Sequence, residues 1–269
     1  MTLFIRAFAL ALLVPTLVFA QMVGPDRAQA LLALNGHDTS VTEAETDLTR
    51  PDIDDTALRV AWYSSARGLF DADEVMDLTI SILGDTLSVD QAIVLETFFA
   101  SEAGQALTAA EEASQRDELG AADAQAAGLV LLNGASETRA ETLGALHDAF
   151  RRNQGVDVSE AILISVRFAF LKSELQKRGE RSDDSVLYAL AAQQMAGLNE
   201  NEREESIMTH AHTYRDISDA ALLDYADLIA SDAGQAYYLA INAGFEGVIL
   251  RDLATFRTRM ANALSAESL

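Results

Sequence analysis

Apolar residues recur along this chain at spacings of three and four, and strict alternation is hard to find. That period belongs to helices with one face on a core, so helices are predicted throughout, with no sheet. We expect roughly eight to ten of them. Ile241, Phe245, Ile249, Leu253, Phe256 and Met260 form the longest stripe and predict a last helix starting near Gln235. Gly244 and Gly247 lie inside it. Glycine costs about 1 kcal/mol in a helix interior, so close contact with another helix is expected there. A second segment, from Asp157 to Gly179, carries Ala161, Ile162, Leu163, Ile164, Val166, Phe168, Ala169, Phe170 and Leu171. It is apolar on nearly every face, which predicts a central buried helix. Its length and Arg167 argue against a membrane span.

Helix ends are readable from their caps. The prolines are Pro15, Pro25 and Pro51, so nothing after Asp52 forces a break. Gly68 with Leu69, and again Gly197 with Leu198, fit the glycine and following apolar residue of a helix end. Asp71 with Glu74, Asp157 with Glu160, and Asn201 with Glu204 fit capping boxes at the starts of the next helices.

The chain also repeats itself. Ser88 to Ala106 lies on Ser218 to Ala236 at one offset, with Ala100, Ser101, Ala103, Gly104, Gln105 and Ala106 matching Ala230, Ser231, Ala233, Gly234, Gln235 and Ala236. Ser101 and Ser231 are placed to cap a helix. The small residues after them leave room for two helices to approach in a hairpin. A packing turn is one reading of this motif; the other has Gln105 and Gln235 lining a polar pocket.

The run Phe98, Phe99, Ala100, Ser101, Gly104, Gln105 resembles the hallmark of an exported bacterial family, the domain of unknown function 2059. The later run from Leu228 to Ala236, followed by Tyr237, Asn242, Ala243, Gly244 and Phe245, is similar to a second, divergent copy. The resemblance implies an all-helical envelope protein and no particular reaction. Residues 35–56 depart from any pattern of that kind. The expected fold is therefore an all-α multi-helix bundle of two divergent helical-hairpin repeats. The first repeat occupies residues 21–118 and the second 119–269, in one compact domain or two.

Residues 1–20 read differently. Arg6 is the one charge before an apolar run from Ala7 to Phe19, and Val18 and Ala20 stand at −3 and −1 of a cleavage site before Gln21. This is the layout of a secretory signal peptide, with an uncleaved anchor helix as the alternative. It predicts a periplasmic or secreted protein without stable membrane insertion after cleavage. Export makes the absence of cysteine informative: an oxidising compartment allows disulfides, yet this chain has none to form. The same absence excludes thiolate catalysis and cysteine metal sites.

Charge narrows the partners. Against 42 acidic residues stand 19 basic ones, for a net charge of −23 over 269 residues. Nucleic acid binding needs a basic surface, so it is not expected. Lys172, Lys177, Arg178 and Arg181 form the one basic cluster, at a predicted helix end where cations complement the dipole. It serves either that role or docking of an acidic partner.

Catalytic motifs are missing: no nucleophile elbow, phosphate loop, zinc-protease histidine pair or calcium loop occurs. His210 and His212 are about 200° apart around a helix and do not share a metal from it. His147 and His37 have no ligand-spaced neighbour. Neither a metal nor a cofactor is expected. The aromatics Trp62, Tyr63, Tyr214, Tyr225, Tyr237, Tyr238 and Phe245 form either core or an inter-helix pocket. Tyr238 and Asn242 lie four apart on one helix face and make the best small constellation. The candidate ligand-binding residues are therefore Gln105, Gln235, Tyr238 and Asn242, with no catalytic residue assigned. The expected function is non-catalytic binding of an envelope protein or a small hydrophobic ligand. The rival is a hydrolase of an envelope polymer using two carboxylates.

Overall fold

The computed structural model describes residues 21–51, 53–116, 120–153, 155–196 and 201–266. Residues 1–20, where a signal peptide is expected, and the helix end expected at Gly197 and Leu198 lie outside the described residues. The described residues form thirteen helices. The first six are α1 (Pro25–Leu34), α2 (His37–Thr49), α3 (Thr56–Ala66), α4 (Ala72–Thr86), α5 (Val89–Phe99) and α6 (Glu102–Gln115). Then come α7 (Ala121–Asn133), α8 (Glu137–Arg152), α9 (Val158–Lys177) and α10 (Asp184–Met195). The last three are α11 (Glu202–Thr213), α12 (Asp219–Ala230) and α13 (Asp232–Ala266). Extended pairing among the described residues is a single bridge, in which Val23 N–H donates to Leu87 O and Val89 N–H donates to Gln21 O. The chain is an all-α multi-helix bundle, with more helices among the described residues than the apolar spacing predicts.

Side-chain caps set many of the starts. Asp55, Asp71, Ser88, Ser101, Ser136, Asp157, Ser218 and Ser231 each accept from a backbone N–H of the first turn. Ser88 and Gln91 complete a reciprocal box that the sequence reading passed over. The three expected boxes are corrected, since Asp157 accepts from Glu160 N–H but no return bond from the Glu160 side chain closes that box among the described residues. Asp71 caps Glu74, but the Glu74 carboxylate turns away to bind Arg251. Asn201 sits at φ −102° and ψ 7° and makes no side-chain cap. The last helix starts at Asp232, one turn earlier than expected, because Ser231 already caps it.

Helix α13 is the axis of the fold. It packs along α9, α4 and α3, and its glycines explain how closely. A Cβ on Gly244 would collide with Thr79 of α4, and one on Gly247 would press on Leu78. Gly128 does the same between α7 and α11, where its Cα faces the Met208 backbone. The core follows these contacts. One apolar cluster joins Leu31, Leu83, Leu95, Phe99, Leu143, Tyr225 and Ile229. A second gathers Ala61, Phe70, Ile249, Phe256 and Met260, with Trp62 edge-on to Phe256 at 4.9 Å.

Helix α9 corrects the expectation of a central position. It is covered by α13 on one side and α10 on another, while Leu163 stays 43 % exposed. The all-round apolar pattern reflects two partners on adjacent faces rather than burial on every face. Near it, Phe70 adopts a left-handed φ of 61°. The buried Asp252 carboxylate holds it there by accepting from Phe70 N–H at 2.8 Å.

The two Ser-x-x-Gly turns share their local geometry. In each, the serine hydroxyl accepts from the glycine N–H at 3.1 Å and donates back to a carbonyl, of Phe98 or Leu228, at 2.6 Å. A Cβ on Gly104 or Gly234 would overlap that same carbonyl. Small size at this position is thus required by backbone contact. Elements of residues 21–118 and 119–269 also pack on one another: α4 lies on α13, and α6 on α11 and α12.

Candidate functional site

A cavity of about 340 Å³ opens where six helices meet. Its walls come from the α1–α2 junction (Asn35, His37, Ser40), α6 (Glu111, Gln115), α8 (His147, Phe150, Arg151), and α11 with its C-cap (Glu202, Ser206, His210, Tyr214). Tyr225 of α12, with Tyr238 and Ile241 of α13, closes it. The volume sits at the low end of small-molecule pockets.

Local backbone places each group. Gly36 takes φ 72°, a left-handed value that glycine adopts without a steric penalty, and this tight turn makes His37 the first residue of α2. A side chain at Gly36 would meet the Glu112 carboxylate at 2.8 Å. Tyr214 closes α11 as its C-cap. Tyr225 and Tyr238 face each other across the Ser231 turn with hydroxyls 2.8 Å apart.

Glu111 is the centre of the polar network. Tyr214 O–H donates to Oε1 at 2.7 Å and Tyr225 O–H donates to the same oxygen at 3.0 Å. With the Tyr225 proton spent on Glu111, Tyr238 is the donor in the tyrosine pair. The result is a relay, Tyr238 to Tyr225 to Glu111. Among the described residues Oε2 accepts no hydrogen bond. Burial raises the Glu111 carboxyl above its usual range, and the two tyrosine bonds work against that rise. Burial beside this carboxylate lifts Tyr214 and Tyr225 well above the usual phenol range.

Three histidines stand around this centre. His147 Nδ1 lies 2.9 Å from Ser206 Oγ, and its ring is 6.3 Å from that of His210. His37 Nε2 and His210 Nδ1 are buried and have no hydrogen-bond partner. Burial pushes both imidazoles down to about 4, with His147 adding to the shift at His210. Both are therefore neutral at pH 7. Arg151 also lines the cavity and is held by Glu202 at 3.0 Å. Among the described residues no group of three or more histidines and carboxylates is arranged to hold a metal.

Of the residues chosen from sequence, Tyr238 is part of this cavity. Asn242, one turn further, lines a neighbouring cavity of about 290 Å³ with Gly155, Asp157 and Glu246, and donates to Asn153 O at 2.7 Å. Gln105 and Gln235 are exposed and line neither; Gln235 instead bonds back to Ala230 O at 2.8 Å. The motif glycine points inward, so the glutamine after it points out. Among the aromatics, Tyr214, Tyr225 and Tyr238 do gather, with Phe150 edge-on to the last two. Trp62 packs instead in the second core cluster. Sequence reasoning missed Glu111, one carboxylate among 42 acidic residues, and the meeting of His37, His147 and His210. Their wide spacing left no local signal; the tyrosines were the one available clue.

Residues 73–130 match a family model described as an uncharacterized protein conserved in bacteria (DUF2059). The match covers under a quarter of the 269 residues, from α4 into α7, and includes the first Ser-x-x-Gly-Gln turn and Glu111. It supports the resemblance over that segment. No curated protein and no solved structure matches the chain.

Proposed function

We propose that this is an exported binding protein of the cell envelope that takes a small polar molecule in the Glu111 cavity. The carrying observation is the pair of buried, unpartnered imidazole nitrogens beside an open carboxylate oxygen. Buried polar groups are nearly always paired, and an unfilled set around one cavity is what a ligand would complete. The lining of histidine, tyrosine, serine and glutamate favours a polar ligand over the hydrophobic one expected from sequence. Export rests on the three-part layout of residues 1–20. Duplication of one helical unit accounts for the matched turns at Ser101 and Ser231. At the same offset, the span of α6 and α7 falls within the unbroken α13. Two halves meeting at their hairpins would leave such a cavity between them.

A carboxylate-pair hydrolase draws no support from this site, since Glu202 is engaged by Arg151. The test is native mass spectrometry of mature protein purified gently from the periplasm. N-terminal sequencing of the same sample should begin at Gln21. A retained small mass that disappears in Tyr225→Phe/Glu111→Gln protein supports binding. An empty protein that no small molecule stabilises against heat would sink the reading.

A further inference from the structure

The geometry points to a small organic cation, carrying an ammonium group, as the ligand of this cavity, with its charge on Glu111. The inference rests on the binding reading above and names the ligand class. Its basis is a count of donors and acceptors. The protons of Tyr214 and Tyr225 are both committed to Glu111 Oε1, and that of Tyr238 to Tyr225. What these groups still offer the cavity is acceptors: Glu111 Oε2 and the lone pairs of the phenol oxygens. A neutral imidazole presents a lone pair at one nitrogen and an N–H at the other, and in the tautomers that leave His37 Nε2 and His210 Nδ1 unprotonated these orphaned atoms fit the same demand. An ammonium brings three donors and no acceptor, the complement of this set.

Charge agrees with the count. Arg151 is neutralised by Glu202, which leaves Glu111 as the unbalanced charge of the lining. His37 and His210 stay neutral near pH 7 and do not repel a cation. Phe150, Tyr225 and Tyr238 line the same space, and aromatic rings attract cations over their faces. The net charge of −23 draws cations toward the protein from a distance. An anion would meet the Glu111 carboxylate at the centre of this network.

The test is isothermal titration of mature protein in 150 mM salt, with thermal shift in parallel. The probes are 1,4-diaminobutane and phenethylamine, against neutral 1,4-butanediol and anionic succinate. Saturable binding of at least one amine is expected, with little from the diol or succinate. Glu111→Gln keeps the shape and an oxygen for the tyrosines, and should weaken amine binding by about tenfold or more. Tyr238→Phe, which leaves Glu111 in place, should weaken it by a smaller factor, and circular dichroism checks that both variants fold. Exposed Glu205→Gln should bind as the parent does. Amine binding that survives Glu111→Gln would be surface condensation and would overturn the proposal. Stronger binding of succinate or the diol would overturn it while sparing the binding reading. Silence from all four probes, with an empty protein by mass spectrometry, would remove both.

Discussion

Acid should destabilise this protein through its buried histidines, and the size of the effect follows from the cavity. His210 lies within α11 against His147, Phe150 and Tyr214, and burial lowers it from 6.5 to about 4. In the unfolded chain it takes a proton as pH falls below 6.5; in the folded chain it does so only near 4. The stability from keeping it neutral is therefore fully present above pH 6.5 and is lost between 6.5 and 4. A gap of about 2.5 units at 1.36 kcal/mol each is about 3 kcal/mol. Glu111, raised by burial, works in the opposite direction, favouring the fold at low pH. His147, Arg151 and Glu202 face the same space and are present in parent and variant alike. Comparing parent with His210→Gln by urea melts at pH 7.5, 6.5, 5.5 and 4.5 isolates the residue. From pH 7.5 to 4.5 the variant should gain on the parent by about 2 to 3 kcal/mol. A stability difference that stays flat over that range would refute the burial of a neutral His210.

Three further expectations concern the scaffold. Gly128→Ala must push α7 off the Met208 backbone of α11 and should cost at least about 1–3 kcal/mol in urea melts; an unchanged midpoint would contradict that contact. Asp252→Ala removes the acceptor that holds Phe70 N–H and the pairing with Arg251, leaving a buried donor at a left-handed residue. A loss of about 2–4 kcal/mol is expected from the lost charged bond and the orphaned group, read by thermal or urea melts. Added salt should raise the melting temperature by screening self-repulsion of the −23 charge; a flat or falling response would count against it.

Local signals carried well in this chain. Glycine 244 and 247 were legible as close-contact positions because an interior glycine in a long stripe has few other uses, and α4 is what they meet. Ser101 and Ser231 were legible as caps because their bonds stay within one turn. Where a second element decides the outcome, the pattern misled. Glu74 looked like half of a capping box until Arg251 took its carboxylate. In α7, apolar Val130 is 71 % exposed, about 200° around the helix from Gly128, which meets the Met208 backbone of α11.

The sequence by itself determined an all-α chain with the turns and caps that bound several of its helices. These depend on residues within four positions of one another, where spacing and bonding coincide. The tertiary structure alone decided the cavity. Glu111, His37, His147, His210, Tyr214, Tyr225 and Tyr238 stand on six different elements and become neighbours when those helices pack. The orphaned imidazoles, the shifted carboxyl and the relay of tyrosine protons all arise from burial and contact across the fold. A side chain's solvent and partners are not properties of its place in the chain, so no reading of intervals could supply them.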